Sequence, residues 1–378
     1  MKITIVNCFD ASIGRVEAVK QYFERRKNKV TVIQSDYMHI KKQRRKDTVK
    51  DYKFIKTLAY KKNISGKRLL SHYLFSKKAI QSLEKEDIDL LYVIVPPNSL
   101  VRQAVKLKRK RGIKLVLDIY DLWPESMPLE KVKKILSIPI KFWRNLRDKY
   151  LKQADLVITE CNLYQEKLAD VLSDVKLTGT IYLTRKLDGE IDLPKNLITD
   201  TIGLCYLGSI NTIINIDLIV KLASEINKKK KVIVHIIGKG ESKEKFLQAL
   251  EKEKVQYVFH GEIYENKAKQ EIFDKCLFGF NLMKENVSVG LTMKSLDYFK
   301  AGLPILNNIK GDTSNIVEQR KIGYNICDDN IEEQAKKIVT LNEQQLLQLR
   351  TNTKEVFYDT FSEEVYEKEM DKLFGGII

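Results

Sequence analysis

Short runs that are apolar throughout, or broken only by a single Thr4 or His235, recur along this chain, and most lead through a loop into a stretch of helical spacing. They include Ile3 to Val6, Leu90 to Val95, Leu115 to Leu117, Leu156 to Ile158, Leu204 to Leu207 and Val232 to Ile237. A strand with one wet face alternates; a continuous apolar run is covered on both faces, as strands of a parallel sheet between helices must be. The pattern predicts strands over 2–8, 29–33, 89–95, 114–119, 155–159, 203–207, 232–237 and 255–259. It predicts helices over 16–26, 99–110, 216–227, 292–301, 331–347 and 349–374. Strands and helices in this order imply an α/β chain of two Rossmann-like halves, and 378 residues suit two domains of ordinary size. The text from 174 to 200, with Gly179, Gly189 and Pro194, is the least regular. It is read as the junction between a domain of residues 1–185, rejoined by a terminal helix at 360–378, and a domain of residues 200–358.

Composition excludes several classes. No run of eighteen apolar residues is present, so no membrane-spanning helix is expected. Met1 to Val6 reads as a buried strand rather than a signal peptide. Five scattered cysteines without C-x-x-C suggest reduced thiols and a cytoplasmic protein. The four histidines lack H-x-x-x-H or H-E-x-x-H spacing, so no metal is expected. The net charge of +17 is concentrated: nineteen Lys or Arg against four acids lie between Lys20 and Lys78. Interleaved with Tyr37, Tyr52, Tyr60 and Tyr73, those charges would suit nucleic acid, but that reading leaves a two-domain architecture without a purpose. The partner expected is an anionic membrane surface, met through residues 41–78 and 129–150. Pro139 divides the latter segment into two helical pieces. In the second, Phe142, Trp143, Leu146 and Tyr150 lie opposite Lys141, Arg144, Arg147 and Lys149, as in an interfacial helix; a stripe packed on a sheet would look the same.

The stretch from Glu285 to Asn308 carries the clearest chemistry. Ser288, Gly290 and Thr292 form a small entry to a helix whose free amides favour an anion. Lys294 and Asp297 share a face of that helix, one suited to a diphosphate and the other to ribose hydroxyls. Gly302 then supplies a helix-ending residue and Pro304 bars continuation. The loops Gly208-Ser209 and Gly238-Lys239-Gly240 each follow a strand, where α/β sheets place their ligands. The loop at Gly14-Arg15 is a similar position in the first half, although Gly14 serves equally to shape a turn.

Lys294 to Ile305 reads K-x-x-D-Y-F-x-A-G-L-P-I and resembles the K-x-x-E-Y-x-A-x-G-x-P-V stretch of the GT-B glycosyltransferases of family 4. Asp121-Leu122-Trp123-Pro124-Glu125-Ser126 resembles family members that work on capsule, O-antigen or exopolysaccharide repeat units. The resemblance implies two Rossmann-like domains facing across a cleft. It implies transfer from a nucleotide diphosphate sugar as co-substrate, with no cofactor or metal and with retention of configuration. Donor contacts would come from Lys294, Asp297, Gly208, Ser209, Gly238, Lys239, Gly240, His260, Gly290, Leu291 and Thr292. Gly14, Arg15 and Trp123 would face the acceptor, and Asp118, Asp121 and Glu125 are candidate ligands or bases for its hydroxyl. A polyprenyl-diphosphate-linked saccharide at the inner membrane face is the acceptor expected. Two departures stand out: Val289 occupies the position of the family's first glutamate, and residues 208–215 contain no cation. Lys294, Arg185 or Lys239 would then supply the missing charge. A non-catalytic partner subunit and a nucleotide-sugar epimerase remain open.

Overall fold

The computed structural model describes residues 1–62, 65–127, 137–187, 189, 193–194 and 199–377. It separates into two compact units, one of Met1–Leu183 with Glu367–Ile378 and one of Thr184–Tyr366. Each unit is built on an all-parallel sheet.

In the first unit seven strands run in the order Tyr52–Ile55, Lys29–Ser35, Lys2–Asn7, Leu90–Val95, Lys114–Ile119, Leu156–Thr159 and Thr178–Thr180. Leu90 to Val95 is buried throughout, the burial that its unbroken apolar text requires. The helix Ile13–Arg25 follows the first strand, so Gly14 lies inside its first turn rather than in a loop before it. Helices Gly66–Gln81, Asn98–Arg111 and Ser137–Leu151 complete the main cover. Pro139 sits in the first turn of the last of these, where a missing amide costs nothing. Residues 129–136, most of the proposed first helical piece, lie outside the described residues. The helix Glu363–Phe374 brings Phe374 against Phe23 at 5.0 Å between centroids, while Asp371 accepts from Arg26 and Tyr22.

The second unit has six strands in the order Gln256–Gly261, Val232–Ile237, Ile202–Leu207, Phe278–Asn281, Ile305–Asn307 and Gly323–Asn325. Strand order reverses between Ile202–Leu207 and Phe278–Asn281, the position at which open parallel sheets hold ligands beyond their carboxyl ends. The helix Met293–Lys300 begins there, with Thr292 as its N-cap and Gly302 at φ +61° after its end. The expected helix over 349–374 is instead Glu343–Val356, a wider turn at Phe357–Phe361, and a separate helix after the extended Ser362.

Candidate active site

In the second unit, two glycine loops lie backbone to backbone. Gly238 donates its amide to the Gly261 carbonyl and Ile210 donates to that of Lys239. A Cβ on Gly238 would stand 1.9 Å from the Gly208 carbonyl oxygen, and one on Gly240 would stand 2.2 Å from that of Ile210. Glycine is therefore obligatory at both positions.

Lys294 reaches over these loops from the Met293–Lys300 helix. Its Cε lies 3.8 Å from the space a Cβ on Gly208 would take, and its Nζ is 4.5 Å from the centre of the Tyr206 ring. Crowding by protein atoms lowers its pKa to about 8. Among the described residues no carboxylate is paired with it. One turn on, Asp297 receives Arg185 Nε on Oδ1 at 3.0 Å, both side chains being partly exposed. The amides of Met293 and Lys294 belong to a first turn that has no carbonyl of its own helix to bond. A half-buried cation, a carboxylate and free amides thus converge near a turn whose backbone can be approached closely.

The remaining residues expected at the donor site divide. Ser209, next to Gly208 in its loop, is exposed. Lys239 is exposed and paired with Glu262. His260 stacks on His235 at 5.3 Å with ring nitrogens 3.0 Å apart, and burial lowers the pKa of both. Thr292, Gly290 and Leu291 are engaged internally. Thr292 Oγ1 donates to Asn281 at 2.8 Å and caps Ser295, the Gly290 carbonyl accepts from Thr313, and Leu291 is buried. Their side chains and the Gly290 carbonyl hold the loop rather than meet a ligand.

Two supports went unnoticed in the sequence. Asn281, Asn307 and Asn325 end three neighbouring strands in register and are linked side chain to side chain at 2.9 and 2.8 Å. Through Thr292 this ladder fixes the start of the helix. Tyr298, fully buried, accepts the Leu207 amide at 2.8 Å and so ties the Lys294 helix to the strand that enters the Gly208 loop. The repeated Asn at strand ends was the available signal.

In the first unit, the three candidate carboxylates have different fates. Asp118 has no exposure: Arg15 meets both its oxygens at 2.7 and 3.2 Å, and Tyr92 donates to it at 2.6 Å. Arg15, also fully buried, donates onward to the Ile181 and Tyr182 carbonyls. Neither can touch an acceptor in this arrangement, contrary to expectation; the pair fastens the strand Lys114–Ile119 to the helix at Gly14. Glu125 is gripped by Arg147 through two bonds, at 2.9 and 3.2 Å, and by Arg144 at 2.8 Å. Arg147 is therefore buried and not among surface cations, because it also holds the Trp123 carbonyl at 2.9 Å. Asp121 is partly exposed and in no ion pair among the described residues. Burial raises its pKa, against hydrogen bonds from Ser126 and Trp123. Gly14 is exposed, with nothing near its missing Cβ. Trp123 stacks with His72 and lies 4.4 Å beneath the Arg68 guanidinium.

Residues 201–344 match the family described as glycosyl transferases group 1. The whole fold is similar to that of HepE from Anabaena, solved with UDP, at a TM-score of 0.71 and 13% identity with all of both chains covered. It is similar to sucrose-phosphate synthase from Thermosynechococcus elongatus at a TM-score of 0.71 and 13% identity, covering 99% of this chain and 98% of that one. A glycosyltransferase from Rickettsia africae aligns over 99% and 97% of the two chains, at a TM-score of 0.66 and 12% identity. No curated protein sequence matches the chain. The fold is that of the GT-B glycosyltransferases, and the glycosyltransferase match lies in the unit that carries Lys294 and Asp297.

Proposed function

We propose that this protein transfers a sugar from a nucleotide diphosphate sugar to a saccharide acceptor, and that the acceptor is lipid-linked. The observation that carries the reading is Lys294: a cation of lowered pKa at a helix start, beside a glycine loop and without an acidic partner among the described residues. A diphosphate is the partner such a site lacks. Asp297, with one oxygen bonded to Arg185, keeps acceptor capacity for ribose hydroxyls. The family match over 201–344 supports this, as does the presence of UDP or UDP-glucose in structures of HepE. UDP is accordingly the first nucleotide to try.

On this reading the acceptor hydroxyl oxygen bonds to the anomeric carbon as the sugar–phosphate bond breaks, charge grows on the departing diphosphate, and Lys294 with the first-turn amides stabilises that charge. Asp121 accepts the proton or hydrogen bond of the acceptor hydroxyl, its raised pKa suiting it as a base. Asp118 and Glu125 hold the surrounding turn. The family 4 assignment, retention of configuration and a role in surface polysaccharide synthesis belong to the same proposal, resting on the Asp121–Ser126 and Lys294–Ile305 text.

The test is nucleotide release from a panel of UDP-, dTDP- and GDP-sugars by the protein and by its Lys294→Ala and Asp297→Ala variants. Release with one nucleotide class, reduced about 100-fold or more in Lys294→Ala, is expected. Release equal in both variants removes the site from the reaction. Nucleotide binding without release under every acceptor condition favours a non-catalytic partner subunit.

A further inference from the structure

A cavity of about 610 Å³ lies wholly within the first unit, between the helices Gly66–Gln81 and Ser137–Leu151. Leu69, Leu70 and Tyr73 line it from one helix, and Phe142, Trp143 and Leu146 from the other. Its rim is unusually open to solvent for such residues: Leu70 is 49% exposed and Phe142 64% exposed. Neighbouring Ile138 is 81% exposed. Contiguous apolar surface of this kind marks a ligand or membrane contact.

The charge around it is mainly basic, the acids Glu125 and Asp148 being paired with Arg144 and Arg147. Gly66–Gln81 contains Lys67, Arg68, Lys77 and Lys78 and no acid, and Lys141 and Lys149 stand on the opposite helix. Arg68 is 6% exposed, lines the cavity and lies over Trp123. Trp123, which lines the cavity beneath Arg68, hydrogen-bonds to Asp121, so the cavity adjoins the remaining candidate acceptor carboxylate.

We propose that this cavity binds the hydrocarbon chain of a lipid phosphate, with the phosphate held at Arg68. The inference rests on the lipid-linked reading of the acceptor and deepens it. The chain would fill the apolar space, the phosphate would meet the buried cation, and the attached saccharide would extend toward Asp121. A surface helix that merely adsorbs to a bilayer needs no cavity and no buried arginine.

The protein's two tryptophans, Trp123 and Trp143, both line this cavity, so its intrinsic fluorescence reports on occupancy with no label. Farnesyl phosphate, dodecyl phosphate, farnesol and dodecanol are titrated below their micellar concentrations into the full chain. The expected result is a saturable change with one or both phosphates, at least tenfold weaker with the matching alcohol. Leu70→Asp and Phe142→Asp, at exposed rim positions, are expected to weaken binding tenfold or more, and Arg68→Gln to remove the preference for phosphate. Preference between the two phosphates tells an isoprenoid from an acyl occupant. No saturable change, or unaltered binding in both rim variants, overturns the proposal. The UDP-induced thermal shift, measured on the same variants, reports folding and the donor site independently, so loss of the lipid site and failure of the donor reading are told apart.

Discussion

Replacing Asp118 by Asn separates a buried fastening from a catalytic group. The carboxylate has no solvent contact and serves three bonds, two from Arg15 and one from Tyr92. Removing its charge takes from the Arg15 guanidinium, which is equally buried, the carboxylate that meets its Nε and Nη2, while Nη1 keeps the neutral Ile181 and Tyr182 carbonyls. Breaking a buried ion pair from one side costs about 3–5 kcal/mol, whereas replacing both partners by apolar groups is often close to neutral. With a urea slope of about 3 kcal/mol/M, the midpoint of unfolding should fall by about 1–1.7 M. Tryptophan fluorescence is the appropriate probe, because Trp123 and Trp143 both belong to the first unit and follow its unfolding alone. The double variant Arg15→Met with Asp118→Leu should recover most of the loss. An Asp118→Asn protein that unfolds at the parent midpoint but has lost transfer activity would refute the reasoning and return Asp118 to the chemistry.

Because the Lys294 ammonium in the free protein titrates near 8, nucleotide affinity should hold from pH 6 to 7.5 and weaken above pH 8, up to tenfold per unit; calorimetric titration across pH checks this, and Lys294→Ala should show no such dependence. All four histidines, His39, His72, His235 and His260, have pKa values lowered chiefly by burial, His39 to about 3 and His235 to about 4. The unfolded chain therefore binds more protons than the native one below about pH 6.5, and stability is lost as pH falls through that range. Buried His72 sets a slope of at most about 1.4 kcal/mol per pH unit, with smaller shares from the partly exposed others; urea midpoints at pH 7, 6 and 5 measure it. Gly238→Ala, whose Cβ would collide with the Gly208 carbonyl, should abolish nucleotide binding, read by calorimetry, while tryptophan fluorescence of the first unit is unchanged.

The legibility of this chain followed the range of the forces involved. Apolar runs such as Leu90–Val95 declare themselves locally, because burial on both faces forbids polar residues, and the strands fell where the text placed them. Residues 36–81 did not. Their short hairpin at Tyr37–Met38 and Gln43–Arg44, the edge strand Tyr52–Ile55 and the helix Gly66–Gln81 are written in basic and aromatic residues whose periodicity the charges obscure. The helix with Lys294 and Asp297 was readable because cap, spacing and Gly302 lie within a few residues of each other. The fates of Asp118 and Glu125 were not, since their arginines arrive from 103 and 22 residues away. An acidic residue in a motif looks the same whether it meets a ligand or a buried guanidinium. Likewise Arg147 fits a polar helix face by spacing, yet is drawn inward by a carboxylate that spacing does not reveal.

The central claim is that the unit carrying Lys294 and Asp297 is a nucleotide diphosphate site, and the most direct measurement is thermal stability with UDP, dTDP, GDP, ADP and CMP in turn. At 100 times its dissociation constant, a ligand adds about 2.7 kcal/mol. A rise in Tm with one nucleoside diphosphate, UDP foremost, and its loss in both Lys294→Ala and Asp297→Ala are predicted. No rise with any nucleotide, or a rise that both variants keep, would contradict it.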